Sequence, residues 1–363
     1  MKLKTSADRL QYLDWLRGLG AVVMLQGHVF NSFLRTDLRD GGPYMLSQFI
    51  GGMPPAIFLF LTGITLAFLM DSTERKGLAP AARMWVSLRR SGYLFLLAFA
   101  FRLQLWAFGW PSPWTDLLRV DILNCMGFAM ALMSVMALFR TAERVRLCAV
   151  LGLGIAFVSP LISQIGFSGV PWFLRNYIVP DYNFFGFFPW AAFLAFGMSA
   201  GSIIRTVTHE SIERVMQWGA LAGGALILAS QYFANLPFSI YTKSDFWLDS
   251  PAQVLTKLGV TMLLAAMAFL WTRYGTKNGW SWVRQFGTTS LLVYWVHIEL
   301  VYGRWFYFFK NNLTVAETVL ASIVVILLMI AISTAKTKRH RLGAVLANMG
   351  WSFGPKAERV PGD

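Results

Sequence analysis

Four histidines occur in the chain, and two of them, His28 and His297, stand inside long apolar stretches. An imidazole can exchange a proton near neutral pH, and an ionisable group inside a membrane span is a functional hypothesis by default. His28 closes the run DWLRGLGAVVMLQGH, residues 14–28, near whose start stands Arg17. On a helix, the interval from Arg17 to His28 is close to three full turns, so both face the same way, roughly 16 Å apart along the axis. Gly20, Ala21 and Met24 form the stripe between them. Residues this small or pliable are expected to leave a groove for a thin ligand, with its anionic end at Arg17 and its reactive end at His28. Acyl-coenzyme A has that shape. His28 would then serve as a general base or form a covalent acyl-histidine, and the residues leave both routes open.

His28 has company at its depth. On the helix that carries it, His28 lies roughly 18 Å from the starting side, and His297 and Glu299 reach a similar level on a later helix that starts on the same side. A third helix brings Arg102 and Gln104 roughly 20–24 Å in, and a fourth, running the other way, brings Asp121 and Asn124 into the same half. Seven polar or ionisable residues from four helices thus share one layer. Separate burial in lipid would be costly for each, so a polar cavity within a helix bundle is the expected arrangement. Asp121 or Glu299 would orient the imidazole. Arg102, Gln104, Asn124 and His297 would bind the acceptor or a developing oxyanion. Simpler pairings compete with these roles: Asp121 with Arg102 or Arg119, and Asp14 with Arg17 across one helical turn. His209 and His340 lie in polar connectors and read as solvated.

The elements that must hold this layer follow from composition. Of 363 residues, 56% are hydrophobic and only 14% charged, against roughly 25% charged in soluble domains. Mean hydropathy is +0.52. The pattern gives an all-α, polytopic membrane bundle of about ten transmembrane helices, with cores at 16–35, 49–70, 88–109, 118–139, 146–167, 184–204, 215–234, 254–273, 288–307 and 316–335. Every other connector is basic: Lys2, Lys4 and Arg9; Arg75, Lys76 and Arg83, with Arg89 and Arg90 following; Arg140, Arg144 and Arg146; Arg205 and Arg214; Arg273, Lys277 and Arg284; and the tail with Lys336, Lys338, Arg339 and Arg341. This alternation places both termini in the cytoplasm. Trp106, Trp110 and Trp114 mark an interface on the opposite side. The net charge of +14 belongs to these connectors, and with no soluble basic domain the chain is not expected to bind nucleic acid. Cys125 and Cys148 are expected as buried, unpaired residues, and no tight His/Cys spacing suggests a metal.

Several stretches resemble the transmembrane acyltransferase superfamily, which includes bacterial glycan acyltransferases and the heparan-glucosaminide N-acetyltransferases. They are RLQYLDWLRGLGAVVMLQGH (9–28), PPAIFLFLTGITLAF (54–68), RRSGYLFLLAFAFRLQ (89–104), RVDILNCMG (119–127), FFPWAAFLAFGMSAG (187–201) and GTTSLLVYWVHIEL (287–300). The resemblance gives His28 the catalytic role and places Arg17 in the same motif. The heparan-type enzymes have asparagine at the His28 position and their catalytic histidine further along, whereas residues 29–50 here contain none. At that point the chain follows the glycan-acyltransferase pattern.

The expected activity is therefore acyl transfer, acetyl by analogy, from cytoplasmic acyl-CoA (acetyl-CoA) to a hydroxyl or amine of a glycan-like acceptor on the outer side. Arg17, Arg89 and Arg90 would meet the donor's phosphates, and a tunnel from the cytoplasmic surface should reach the His28 ring. The expected domain is 1–341, followed by a cytoplasmic tail, 342–363, with the protein in a bacterial cytoplasmic membrane. The competing reading is a proton-coupled small-molecule transporter using His28, Asp121, His297 and Glu299 as a relay.

Overall fold

In a computed structural model of the chain, residues 11–109, 111–165, 167–275 and 279–348 are described, with backbone alone for His209 and residues 339–348. Lys2, Lys4, Arg9, Trp110, Lys277 and the tail from residue 349 lie outside the described residues, as do the side chains of His209, Arg339, His340 and Arg341. The described chain is helical, with one isolated backbone bridge between Leu34 and Leu313. In order, the helices are α1 (Gln11–Phe33), α2 (Gly42–Gly51), α3 (Pro54–Arg75), α4 (Pro80–Phe108), α5 (Ile122–Met133), α6 (Thr141–Gln164), α7 (Trp172–Arg175), α8 (Phe187–Thr206), α9 (Ile212–Ala234), α10 (Pro251–Leu270), α11 (Trp282–Thr288), α12 (Ser290–Tyr302) and α13 (Val315–Asn348).

Each of the ten expected spans overlaps a helix. Seven segments are long and apolar enough to cross a membrane: Gly42–Arg75, Pro80–Phe108, Trp114–Leu138, Thr141–Gln164, Phe187–Thr206, Pro251–Gly275 and Val315–Lys338. The segments α1, α9 and α12 are not among them. Charged and polar residues such as Asp14, Arg17, Gln26 and His28 dilute α1. The 13 residues of α12 extend only about 20 Å, short of a hydrocarbon core of about 30 Å. Large apolar side chains on α4, α6, α9 and α13 face outward, among them Trp85, Leu96, Val150, Leu228 and Leu320. A soluble monomer rarely exposes apolar surface on this scale. The chain is an integral membrane protein.

Two apolar clusters fill the interior. The larger joins α3, α5, α8 and α10 to the start of α1. The smaller joins the second half of α1 to α11, α12 and α13. Cys125 and Cys148 are both buried and unpaired.

The seam between α1 and α11 positions the site. A Cβ placed on Gly18 would collide with the Val283 carbonyl, and one on Gly287 would collide with the backbone of Asp14. With no side chain at either position, the two backbones touch, as small residues allow in membrane helix pairs. Further along the same seam, Ser32 Oγ donates to the Val301 carbonyl at 2.8 Å. Asp14 thus lies level with Gly287 and Ser32 with Val301, so α1 runs parallel to the α11–α12 pair. Among the ion pairs at the far end of α3, Glu74 meets Arg83 at 3.4 Å and the fully buried Arg144 at 3.2 Å. This cluster ties α3 to α4 and α6.

Candidate functional site

The parallel seam brings the two intramembrane histidines into contact. His28 Nδ1 and His297 Nε2 are 2.9 Å apart. The rings stack at 5.1 Å between centroids and 16° between planes. The other ring nitrogen of His297, Nδ1, is 2.6 Å from the Val293 carbonyl oxygen, one helical turn earlier. A carbonyl only accepts, so His297 Nδ1 carries the proton and donates. In the neutral pair, His297 Nε2 is then an acceptor, and His28 Nδ1 must donate to it. By elimination, the lone pair of His28 lies on Nε2, which has no protein hydrogen bond among the described residues. The Tyr302 ring packs edge-on against His28 at 5.4 Å, and its hydroxyl accepts from Asn31 Nδ2 at 3.0 Å.

The expected polar layer is present, and its four helices adjoin. Gln104 Nε2 donates to Glu299 Oε1 at 3.0 Å, and the Trp295 indole donates to Gln104 Oε1. Arg102 Nε stands 3.4 Å from Asp121 Oδ2 and donates to the Arg119 carbonyl at 3.2 Å. Asp121 also caps α5, its Oδ1 accepting from the Leu123 and Asn124 amides at 3.0 and 3.1 Å. Asn124 Nδ2 donates to the Tyr177 hydroxyl at 3.2 Å.

These partnerships redistribute the expected roles. The imidazole of His28 is oriented by His297, not by Asp121 or Glu299. Asp121 is engaged by a helix cap and an ion pair, and Glu299 by an amide. His297 is fully buried behind His28, which makes it a partner to the ring rather than a surface for the acceptor.

His28 lines a cavity of 1040 Å³, together with Arg102, Asp121 and Glu299. Gln104, Asn124 and His297 are not part of its lining and stand behind it. The cavity reaches His28 from the end of the bundle where α1 and α4 finish. Its lining includes Asn31, Gly109 and Arg304, and the exposed rings of Tyr182, Trp247 and Trp305 stand at its rim.

The groove expected between Arg17 and His28 is closed. A Cβ on Gly20 would sit 3.3 Å from Ile57 and 3.7 Å from Phe58, and Ala21 is fully buried. The small stripe serves close helix packing, with α3 filling the space a ligand would need. Only Met24 of that stripe lines the cavity. Arg17 pairs with Asp14 at 2.9 Å, and Arg89 and Arg90 are exposed on the first half of α4. None of the three arginines lines the cavity, and neither does any residue of α1 before Met24.

Tyr302 and Lys257 also line the cavity, and sequence reasoning missed both. Tyr302 lies one residue beyond the face that pairs with α1, and nothing in its spacing sets it apart from an interfacial aromatic. Lys257 falls near the start of an apolar run, where a lysine ordinarily reads as snorkelling to the interface.

Residues 9–242, more than half of the chain, match the family model described as heparan-alpha-glucosaminide N-acetyltransferase, catalytic. The chain belongs to that family. No curated protein matches it. Family membership makes the chain a membrane-embedded transferase of the acetyltransferase type. The matched residues include His28, Arg102 and Asp121 and end before α10, so His297, Glu299 and Lys257 lie beyond them.

Proposed function

We propose that the protein transfers an acyl group, acetyl by family analogy, from acyl-CoA to a hydroxyl or amine of a glycan-like acceptor. The observation that carries this reading is the unpartnered Nε2 of His28, on the wall of a cavity large enough for substrates, with the opposite nitrogen held by His297. In this reading the ten segments cross a bacterial cytoplasmic membrane with both termini inside, the short α12 making its crossing together with α11. The acceptor enters from the outer rim, where aromatic rings suit sugar faces, and a donor arriving from the inner face needs the side of α1 between Arg17 and His28, closed here by α3, to open.

His28 Nε2 takes the proton of the acceptor as its oxygen or nitrogen attacks the thioester carbonyl. The new C–O or C–N bond forms, the C–S bond breaks, and the proton passes to the departing sulfur, giving CoA thiol and acylated acceptor. While His28 is cationic, its Nδ1–H bond to His297 becomes charge-assisted and stronger. Arg102 sits on the same cavity wall, where a cation can stabilise the developing oxyanion.

The test is purified protein in lipid nanodiscs with radiolabelled acetyl-CoA and a panel of glycans and amino sugars. Wild type should release CoA and label an acceptor, while His28→Ala should lose at least about 100-fold of that rate, as expected for a general base. Equal rates for both proteins with every acceptor would remove His28 from the reaction.

A further inference from the structure

The charge of the cavity is unbalanced. Five cationic side chains line it, Arg102, Arg119, Lys257, Arg304 and Lys310, against two carboxylates, Asp121 and Glu299. Arg102 already pairs with Asp121. Arg119, Arg304 and Lys310 spend donors on the backbone carbonyls of Asn183, Gly109 and Tyr302. Among the described residues, none of these three has an ion pair, and Lys257 has neither an ion pair nor a side-chain hydrogen bond.

Lys257 is the unusual member. It stands on α10, inside the apolar segment Pro251–Gly275, and its ammonium lies over the Trp190 ring, 5.0 Å from the centroid. Gln253, one turn earlier, lies on the same helix face. It lines the same cavity, is only 6% exposed, and has no side-chain hydrogen bond among the described residues. Across from them stands Gly52, whose absent Cβ would lie 3.8 Å from the Lys257 ammonium, so no side chain at that position screens the charge. A cation with no counter-charge and an amide with no side-chain hydrogen bond among the described residues therefore share one face of an intramembrane helix. Burying a cation there without a counter-charge is costly, and an anionic ligand would offset that cost.

We propose that Lys257 and Gln253 form an oxyanion subsite in the His28 cavity, built for the phosphate or diphosphate group of a small-molecule substrate. This deepens the acyl-transfer reading and rests on it only for the name of the substrate. Two sources share the chemistry: the diphosphate of the CoA donor, and a phosphate carried by the sugar acceptor. Lys257 supplies the charge, and the Gln253 amide donates to a second phosphate oxygen.

The experiment is equilibrium binding to the full-length protein in nanodiscs of zwitterionic lipid, with four probes: inorganic pyrophosphate, CoA, the phosphate-free thiol pantetheine, and a hexose 1-phosphate. Lys257→Gln should weaken pyrophosphate binding by at least about tenfold, the effect of losing a charge-assisted contact. Lys257→Arg should retain part of the affinity that Lys257→Gln loses, since the charge is kept. Gln253→Ala should weaken binding without moving the ammonium. A donor site predicts that CoA loses affinity in Lys257→Gln while pantetheine and hexose phosphate do not. An acceptor site predicts the loss for hexose phosphate, alongside pyrophosphate, and not for CoA. Equal affinities of wild type and Lys257→Gln for pyrophosphate, CoA and hexose phosphate overturn the subsite. His28→Ala should bind pyrophosphate as wild type does, so a failure of the acyl-transfer reading shows in turnover and a failure of the subsite shows in binding.

Discussion

Replacing His297 by leucine isolates the part it plays behind His28. Leucine fills much of the same buried space but can neither accept from His28 Nδ1 nor donate to the Val293 carbonyl. The 2.9 Å contact between the rings is a neutral hydrogen bond in the resting pair and a charge-assisted one once His28 holds the acceptor's proton. A hydrogen bond to a charged group contributes about 1.5–3 kcal/mol. If that stabilisation is confined to the transition state, its loss lowers kcat by about 10- to 150-fold. His297→Gln is the matched partner, because its amide oxygen can accept from His28 Nδ1 and should restore part of the rate. The assay is turnover of radiolabelled acetyl-CoA under saturating acceptor, with KM followed separately and folding checked by thermal unfolding. A folded His297→Leu protein with kcat within twofold of wild type would refute the idea that His297 fixes the reactive nitrogen. So would glutamine and leucine variants with identical rates.

The helix seam and the charged cluster at the far end of α3 make two further predictions. Gly287→Ala drives a methyl into the Asp14 backbone and should cost about 1–3 kcal/mol through strain, with a fall in kcat because the two rings shift relative to each other; thermal unfolding and turnover read the two effects. Gly92→Ala, with nothing within 4 Å of a Cβ, is the control and should stay within about 0.5 kcal/mol. Glu74→Ala strands Arg83 and the fully buried Arg144 and should destabilise the fold by about 3 kcal/mol. Unfolding in mild detergent checks it, and wild-type stability would show that the Phe139 carbonyl and the Thr141 hydroxyl, each accepting from Arg144 at 2.6 Å, satisfy it alone.

Much of the candidate site was legible because depth in a membrane helix follows from counting residues. His28 and His297, Gln104 and Glu299, and Arg102 and Asp121 were placed in one layer by rise per residue and by the alternation of basic connectors, and each of these pairs meets. What counting cannot give is which neighbour occupies a given face. Gly20 and Ala21 are as suitable for a packed helix as for a groove, and α3 takes the place. Partner choice was similarly hidden: His297 could be assigned a depth but not a contact, so it was expected at the acceptor. Lys257 escaped because a lysine near the start of an apolar run ordinarily has its charge at the interface. The short α12 shows another limit, since the apolar pattern at 288–307 did not reveal where the helix ends.

The glycine seam between α1 and α11 has a mechanical consequence. Two backbones in contact at that distance resist sliding and spreading, which favours a fixed spacing between His28 on α1 and His297 on the following α12. If donor and acceptor come from opposite sides, the seam is the stationary post of the machine. The gates must then be hung on its other neighbours, α2, α4 and α10, whose side chains meet the pocket.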